Sequence, residues 1–351
     1  MRGFWAIAAP ALLCAAEVAS GEAALRRQAA EHPESFDANR HLAEYYIRHN
    51  QVSAAIPWLE KAASINPADY DNDYDLALAR LETKDLDKAR KLLQEMLSRQ
   101  DRSESHNLLG DVEEAAGNVE EAEKQYETAA RQDPSEKNLF DLGTDLLHHS
   151  AYSSALTVFQ YASGKYPQVA RLEVGLGVAL YSSGQYAKAV EALCRAVDLD
   201  PGDTKALDFL GGMYDVSPEL SREVTKRLAR FAELYPNNAS ANYYYALSLR
   251  KRTLTPELND ADGKVESLLK KAVALRPDFG DAHFQLGLLY SDKRQTANAV
   301  REFEEAIRLR PDLRAAHYRL AQLYAEQGKA ELSRKQFQVL KSLREDQTAK
   351  P

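Results

Sequence analysis

Residues 170–201 read ARLEVGLGVALYSSGQYAKAVEALCRAVDLDP. A large apolar residue precedes a small one, Leu176-Gly177, near the middle of one helical pattern, and Gly184 marks its end. Ala189 opens a second helical pattern, Leu193 follows four later, Ala196 three beyond that, and Pro201 closes it. The order recurs as Leu42-Ala43, Ala55, Leu59, Ala62 and Pro67, and as Leu109-Gly110, Gly117, Ala122, Tyr126, Ala129 and Pro134. It recurs again as Leu142-Gly143, Ala155, Phe159, Ala162 and Pro167, and as Leu286-Gly287, Tyr290, Ala299, Phe303, Ala306 and Pro311. Prolines fall at 33, 67, 134, 167, 201, 236, 277 and 311, mostly 33 to 35 residues apart, with Asp101 in the slot of the one double interval. A fixed period near 34 is the mark of a repeat array.

The reasons for the pattern are local. Small residues such as Gly177 and Ala189 let two helices cross closely, toward the short end of the usual separation of about 8–10 Å. Gly117, Gly184 and Gly328 stand where the first helix must stop, and glycine reaches the left-handed conformation of that stop without steric cost. Proline, with no amide proton, closes each second helix. The pattern resembles the tetratricopeptide repeat family, with about nine repeats from about Phe36 to about Glu345. That resemblance implies an all-α fold, an α-solenoid in which antiparallel helix pairs stack as a right-handed superhelix with the first helices forming its inward, concave face. The domain reading is a leader over 1–20, a capping helix over 21–35, the repeats over 36–345 and a polar tail over 346–351.

Composition agrees with such a fold. Of 351 residues 44% are hydrophobic and 28% charged, and glycine and proline number only 16 and 13, so helix breakers are scarce. The net charge of −8 gives no overall attraction to a polyanion, and no nucleic-acid partner is expected. Residues 1–20 differ from the rest. Arg2 precedes an apolar run from Phe4 to Ala16, and Val18 and Ser20 sit three and one positions before Gly21. This is the form of a secretory signal peptide; the run is too short for the roughly 20 residues of a membrane span. The expected location is therefore the periplasm or the exterior, with an uncleaved membrane anchor or a buried first helix as the alternatives. Leu13 before Cys14 speaks against a lipid anchor. Cleavage would leave Cys194 alone, as a small buried hydrophobe without a disulfide.

Several repeats depart from the pattern. The second has Arg80 at an apolar position and Asp101 for proline, which predicts a weaker seam. The sixth has Pro218 and Glu219 in its turn and Val224 at the alanine slot, and the seventh has an enlarged turn over Thr253–Gly263. The ninth carries Ser333 and Leu340 at small-residue positions and runs into the polar tail, as suits a terminal cap. Upstream, Glu22 to His32 reads as a lone second helix capping the first repeat.

No catalytic, cofactor or metal site is expected. P-loop, Gly-x-Ser-x-Gly, His-Glu-x-x-His and paired-cysteine patterns are missing, and Gly175-Leu-Gly177 has Leu180 where a dinucleotide fold needs glycine. His106, His283 and His317 share one repeat slot with Asn39, Asp73, Leu139, Glu173, Leu207 and Asn242, so the slot reads as a tolerant, half-exposed helix start. His148-His149 ends a first helix, and adjacent helix residues point about 100° apart, which suits a solvated end better than a pair of ligands. Asp69, Asp71, Asp73 and Asp75 alternate like a calcium loop, but Tyr74 and Arg80 replace its glycine and glutamate. Asn259–Gly263 likewise lacks the closing carboxylate, with Leu269 there. Asn238-Ala239-Ser240 is a glycosylation sequon only in a eukaryotic secretory pathway.

The expected function lies on the inward slots of the first helices. The residues there expected to bind a peptide are Arg40, Glu44, Asn107, Asp111, Phe140, Val174, Val178, Tyr181, Tyr243, Leu247, Arg250, Phe284, Leu288 and Tyr318. The face is acidic in the first three repeats and apolar-aromatic beyond. It suits an extended segment or helix held by aromatic anchors; the same side chains packing against their own neighbours is the alternative. Family members that hold chaperone tails use a lysine, asparagine and arginine clamp, and Glu44, Asp71 and Glu104 would repel a carboxylate here. The reading is a noncatalytic protein-binding or peptide-binding scaffold. A self-assembling repeat protein, or the recognition subunit of a multi-chain envelope enzyme, are the alternatives.

Overall fold

The computed structural model describes residues 21–213, 218–252 and 261–348. The expected leader lies outside them. The chain divides into two compact units, Met1–Val158 and Phe159–Pro351. In the first, a helix α1 over 21–31 precedes α2 (Phe36–Arg48), α3 (Val52–Ile65), α4 (Tyr70–Glu82), α5 (Leu86–Arg99), α6 (Ser103–Ala116), α7 (Val119–Gln132) and α8 (Glu136–His148). The division falls inside α9 (Tyr152–Lys165). The second unit continues with α10 (Ala170–Ser182), α11 (Tyr186–Leu199), α12 (Lys205–Gly212), α13 (Pro218–Leu234) and α14 (Ala239–Arg252). It ends with α15 (Ala261–Leu275), α16 (Gly280–Asp292), α17 (Thr296–Leu309), α18 (Arg314–Glu326) and α19 (Ala330–Thr348). No strand occurs among the described residues, so the all-α, stacked helix-pair fold expected from the repeats is the observed one. No described helix is long and apolar enough to cross a membrane.

Helices from α2 to α8 and from α13 to α19 pack each on the next, and first helices also touch across repeats, as in α4 with α6 and α12 with α14. The small residues of the pattern are sockets. A Cβ on Gly287 would stand 2.6 Å from the Phe303 ring, and one on Gly177 2.6 Å from Leu193 Cγ. In these pairs the second helix thus drives its large residue into the gap left by the small residue of the first. Leu193, Phe303, Ala189, Ala299 and Ala306 are all at most 1% exposed. At the start, Ala29 of α1 joins the core of Leu42, Tyr46 and Leu59. Arg26 donates to Tyr46 Oη at 2.7 Å, and that hydroxyl donates to Glu22 at 2.9 Å.

The stop after each first helix is left-handed, and the residue type there varies. Gly117, Gly184 and Gly328 have φ of 80°, 74° and 74°; Asn50, Lys84, Ser150 and Arg294 hold the same repeat position at 57°, 62°, 62° and 56°. A side chain there costs roughly 1 kcal/mol relative to glycine. Lys84→Gly and Arg294→Gly should each raise stability by up to about 1 kcal/mol. Chemical denaturation reads this, and an unchanged midpoint for both would contradict it.

Two expectations change at the edges. Pro218 and Glu219 do not lie in a turn, because α13 begins at Pro218, where proline's missing amide and fixed φ suit the first helical position. The enlarged turn expected over Thr253–Gly263 ends sooner, since α15 begins at Ala261; 253–260 lie outside the described residues, and with them the first two residues of the acidic run Asn259–Gly263. In the second repeat the side chain of Arg80 is 13% exposed and its Nη2 donates to Glu60 at 3.0 Å. An open cleft of about 590 Å³, lined by Leu76, Arg80 and Leu92 among others, lies beside it.

Candidate functional site

The inward slots of the first unit are knitted by bonds that run one repeat onward. Arg40 pairs with Glu44 on its own helix at 3.2 Å and with Asp75 of α4 at 3.0 Å. Asn107, expected to face a ligand, is 1% exposed; its amide donates to Asp141 of α8 at 3.0 Å and its oxygen accepts from Lys137. Asp111 accepts from Tyr126 at 2.7 Å, and Phe140 is half-buried. The alternating aspartates serve the fold too. Asp69 caps α4 by accepting from the Asn72 amide at 2.8 Å, Asp73 takes Arg99 at 2.5 Å, and Asp75 takes Arg40.

In the second unit the slots are more apolar. Val174 and Val178 are half-buried, while Tyr181 is 40% exposed and meets Tyr186 edge-on at 5.2 Å. Tyr243, expected on the open face, is 6% exposed and packs on Tyr244 at 4.9 Å and Phe279 at 4.6 Å. Burial pushes its hydroxyl far above the usual tyrosine range. Leu247, Phe284 and Leu288 are partly buried against the core. Arg250 donates to Gln285 and pairs with Asp292, each at 2.8 Å. Tyr318 is 48% exposed and meets Phe337 of α19 edge-on at 6.3 Å. Cys194 is buried, and burial first of all lifts its thiol to about 12, so it behaves as a hydrophobe and not as a nucleophile.

The histidine slot is more buried than the sequence suggested, although His106 and His283 keep side chains 14% and 13% exposed. His317 is 4% exposed, and its partners at the same position include Asn39 at 0%, Asp73 at 2%, Glu173 at 4% and Asn242 at 1%. Most of their polar atoms are spent inside the fold, Asn39 Oδ1 excepted. His283 and His317 use Nε2 on the carbonyls of Pro277 and Pro311, and Nδ1 on Glu302 and Gln336 of the following helix. His106 repeats this with Gln125, and with the Asp101 carboxylate in place of the proline carbonyl. Glu173 takes Arg195 at 2.9 Å. A buried slot accepts leucine, as at 139 and 207, or a polar residue whose partners are supplied.

His148 and His149 are likewise not a simple solvated helix end. His148 Nδ1 lies 3.0 Å from Glu114 Oε1 and His149 Nε2 lies 2.9 Å from Glu114 Oε2. One histidine uses its near nitrogen and the other its far one, so residues that diverge along the helix converge on one carboxylate of α6. Their rings are 5.3 Å apart. Asp145, one turn back, has Oδ1 3.6 Å from His149 Nε2 and a side chain 3% exposed. Neither of its oxygens has a hydrogen-bond partner. Burial, which His149 only partly offsets, raises the Asp145 carboxyl to about 6. The hydrogen bond to Glu114 raises His149, and the bond from His149 lowers Glu114. A small cavity of about 170 Å³ adjoins, lined by Asp111, Glu114, Tyr126, Asp141, Thr144, Asp145 and His148.

These repeats, sockets and left-handed stops define a tetratricopeptide scaffold. The tetratricopeptide repeat family matches residues 8–70, 74–137, 140–204 and 284–349, and the chain belongs to that family. The unmatched stretch between 204 and 284 holds the short α12, the proline-started α13 and the lengthened connection before α15. Among solved structures the chain is similar to MamA, at 22% identity over 49% of this chain and 96% of that one, with a TM-score of 0.40. It is also similar to YrrB, described as a TPR protein with an unusual peptide-binding site, at 19% identity over 53% and 97%, TM-score 0.42. Human IFIT1, solved as a dimer with m7Gppp-AAAA, is 14% identical over 88% of this chain and 77% of its own, TM-score 0.45. No curated protein matches.

Proposed function

We propose that the chain is a noncatalytic scaffold of a bacterial cell envelope, exported by residues 1–20, that grips a protein or peptide segment along its first helices. The carrying observation is two pairs of aromatic side chains left in water, Tyr181 with Tyr186 and Tyr318 with Phe337, each residue 39% exposed or more. Tyr181 and Tyr318 stand at inward slots. Exposed tyrosines with a rigid neighbour are efficient anchors for a partner, because little side-chain entropy is lost when they are covered. The acidic slots of the first unit contribute less, since most of their carboxylates are already paired within the chain.

The test is cross-linked capture from envelope extract by tagged full-length protein and by its Tyr181→Glu, Tyr318→Glu variant. Both positions are exposed, so the variant should keep its helical circular dichroism. The expected result is loss of specific partners, and an unchanged captured set would overturn the groove reading. The mass of the purified N-terminus tests export separately: a chain beginning at Gly21 is expected, whereas one retaining residues 1–20 in the membrane fraction would favour an anchor.

A further inference from the structure

We propose that Glu114, His148, His149 and Asp145 bind a divalent cation of the zinc class. The donors of the first three all lie within 4.8 Å of one another. A tetrahedral site with bonds of about 2.0–2.1 Å needs donors roughly 3.3 Å apart. The contraction required is therefore small, and it falls on side chains able to move: His148 is 75% exposed and Glu114 27%. Both imidazole nitrogens already point at one carboxylate, which is the convergence a cation needs.

Asp145 supplies the independent observation. It is a nearly fully buried carboxylate, both oxygens lack a hydrogen-bond partner, and Oδ1 faces His149 Nε2. A buried carboxylate without partners is costly unless a counter-charge meets it. With both imidazoles neutral, the two carboxylates carry two negative charges, and a divalent ion balances them. Asp111 and Asp141 across the cavity add to the attraction, with Tyr126 and Lys137 as their partners.

Two imidazoles with two carboxylates favour zinc, cobalt or nickel over the all-oxygen shells that calcium and magnesium prefer. Four protein donors leave no open position, so the site is structural. It ties α6 to α8, the first helices of successive repeats, at the end opposite the Asn107–Asp141 bond that already joins them.

The experiment titrates Zn²⁺ into metal-stripped full-length protein by calorimetry and records the visible spectrum with Co²⁺. One ion per chain is expected, with tetrahedral cobalt absorption and a zinc-dependent rise in melting temperature. His148→Ala with His149→Ala should abolish binding, and Asp145→Asn should weaken it at least about tenfold. His148→Ala alone, at an exposed side chain, gives a variant whose folding is secure and whose affinity should also fall at least about tenfold. No stoichiometric uptake by the wild type, or uptake undiminished in the double histidine variant, overturns the site. Equal affinity in Asp145→Asn overturns the four-donor set.

Discussion

Phe303→Ala is expected to lower stability by about 3–5 kcal/mol, the range for emptying a fully buried aromatic position. Phe303 is fully buried, its ring 5.8 Å from that of Phe284 and seated over Gly287. In a repeat array each repeat leans only on its neighbours. Hydrogen exchange should therefore show protection lost first in α16 and α17 and the helices flanking them, with the first unit nearly unchanged. Tyr318→Ala, at a side chain 48% exposed, should shift stability by no more than about 0.5 kcal/mol.

The socket gives the same experiment a second arm. Gly287→Ala sets a methyl 2.6 Å from the Phe303 ring, an overpacking worth about 1–3 kcal/mol. In the Phe303→Ala background the methyl meets the vacated space, and most of that cost should vanish. A double-mutant cycle measures the difference. Additive effects would mean that Gly287 matters for helix propensity and not for the knob it receives.

That socket also shows what the sequence makes legible. The spacing of Leu176-Gly177, Ala189, Leu193 and Pro201 fixes helix lengths, turns and the identity of the core, because each follows from local rules repeated at one period. The left-handed stops at Gly117, Gly184 and Gly328 were readable for the same reason, whereas Lys84 and Arg294 at the same φ were not, since lysine and arginine carry no signature of strain. The inward slots were harder. Slot position names the helix face but not how far the next repeat covers it, so Tyr243 and Tyr318 hold matching slots while one is 6% exposed and the other 48%. The buried polar slot left a signal, polar residues recurring at the repeat period from Asn39 to His317. Its meaning required the partners, which for Asn39 and Asn242 are carbonyls just upstream and for the histidines side chains nineteen residues onward. The Glu114, His148 and His149 convergence was hidden for a like reason: it joins two repeats, and the sequence shows only the two histidines as neighbours.

Arg90→Met is expected to cost about 3 kcal/mol at pH 7, the low end for removing one partner of a buried ion pair. Arg90 of α5 grips Glu113 of α6 with two bonds, Nε to Oε1 at 2.6 Å and Nη2 to Oε2 at 3.0 Å. The Glu113 side chain is 4% exposed and has one other partner, the Asn118 amide at 2.6 Å. Burial pushes the Glu113 carboxyl up, but the bonds from Arg90 and Asn118 outweigh it and hold it below the usual carboxylate range. A depressed carboxyl stabilises the fold above the pKa of the unfolded chain, near 4.5, and that contribution is lost as pH falls through the lower folded value. In Arg90→Met only the Asn118 bond still opposes burial, so Glu113 is expected to titrate above its unfolded value and the variant to lose stability as pH rises through that range. The gap between the two proteins should thus be smallest near pH 3 and fully open by pH 7, with urea melts at both reading it. Arg90→Met with Glu113→Leu removes both charges and should recover most of the loss. A gap independent of pH, or a double variant no better than the single, would mean that Arg90 acts through the packing of its aliphatic stem and not through its charge.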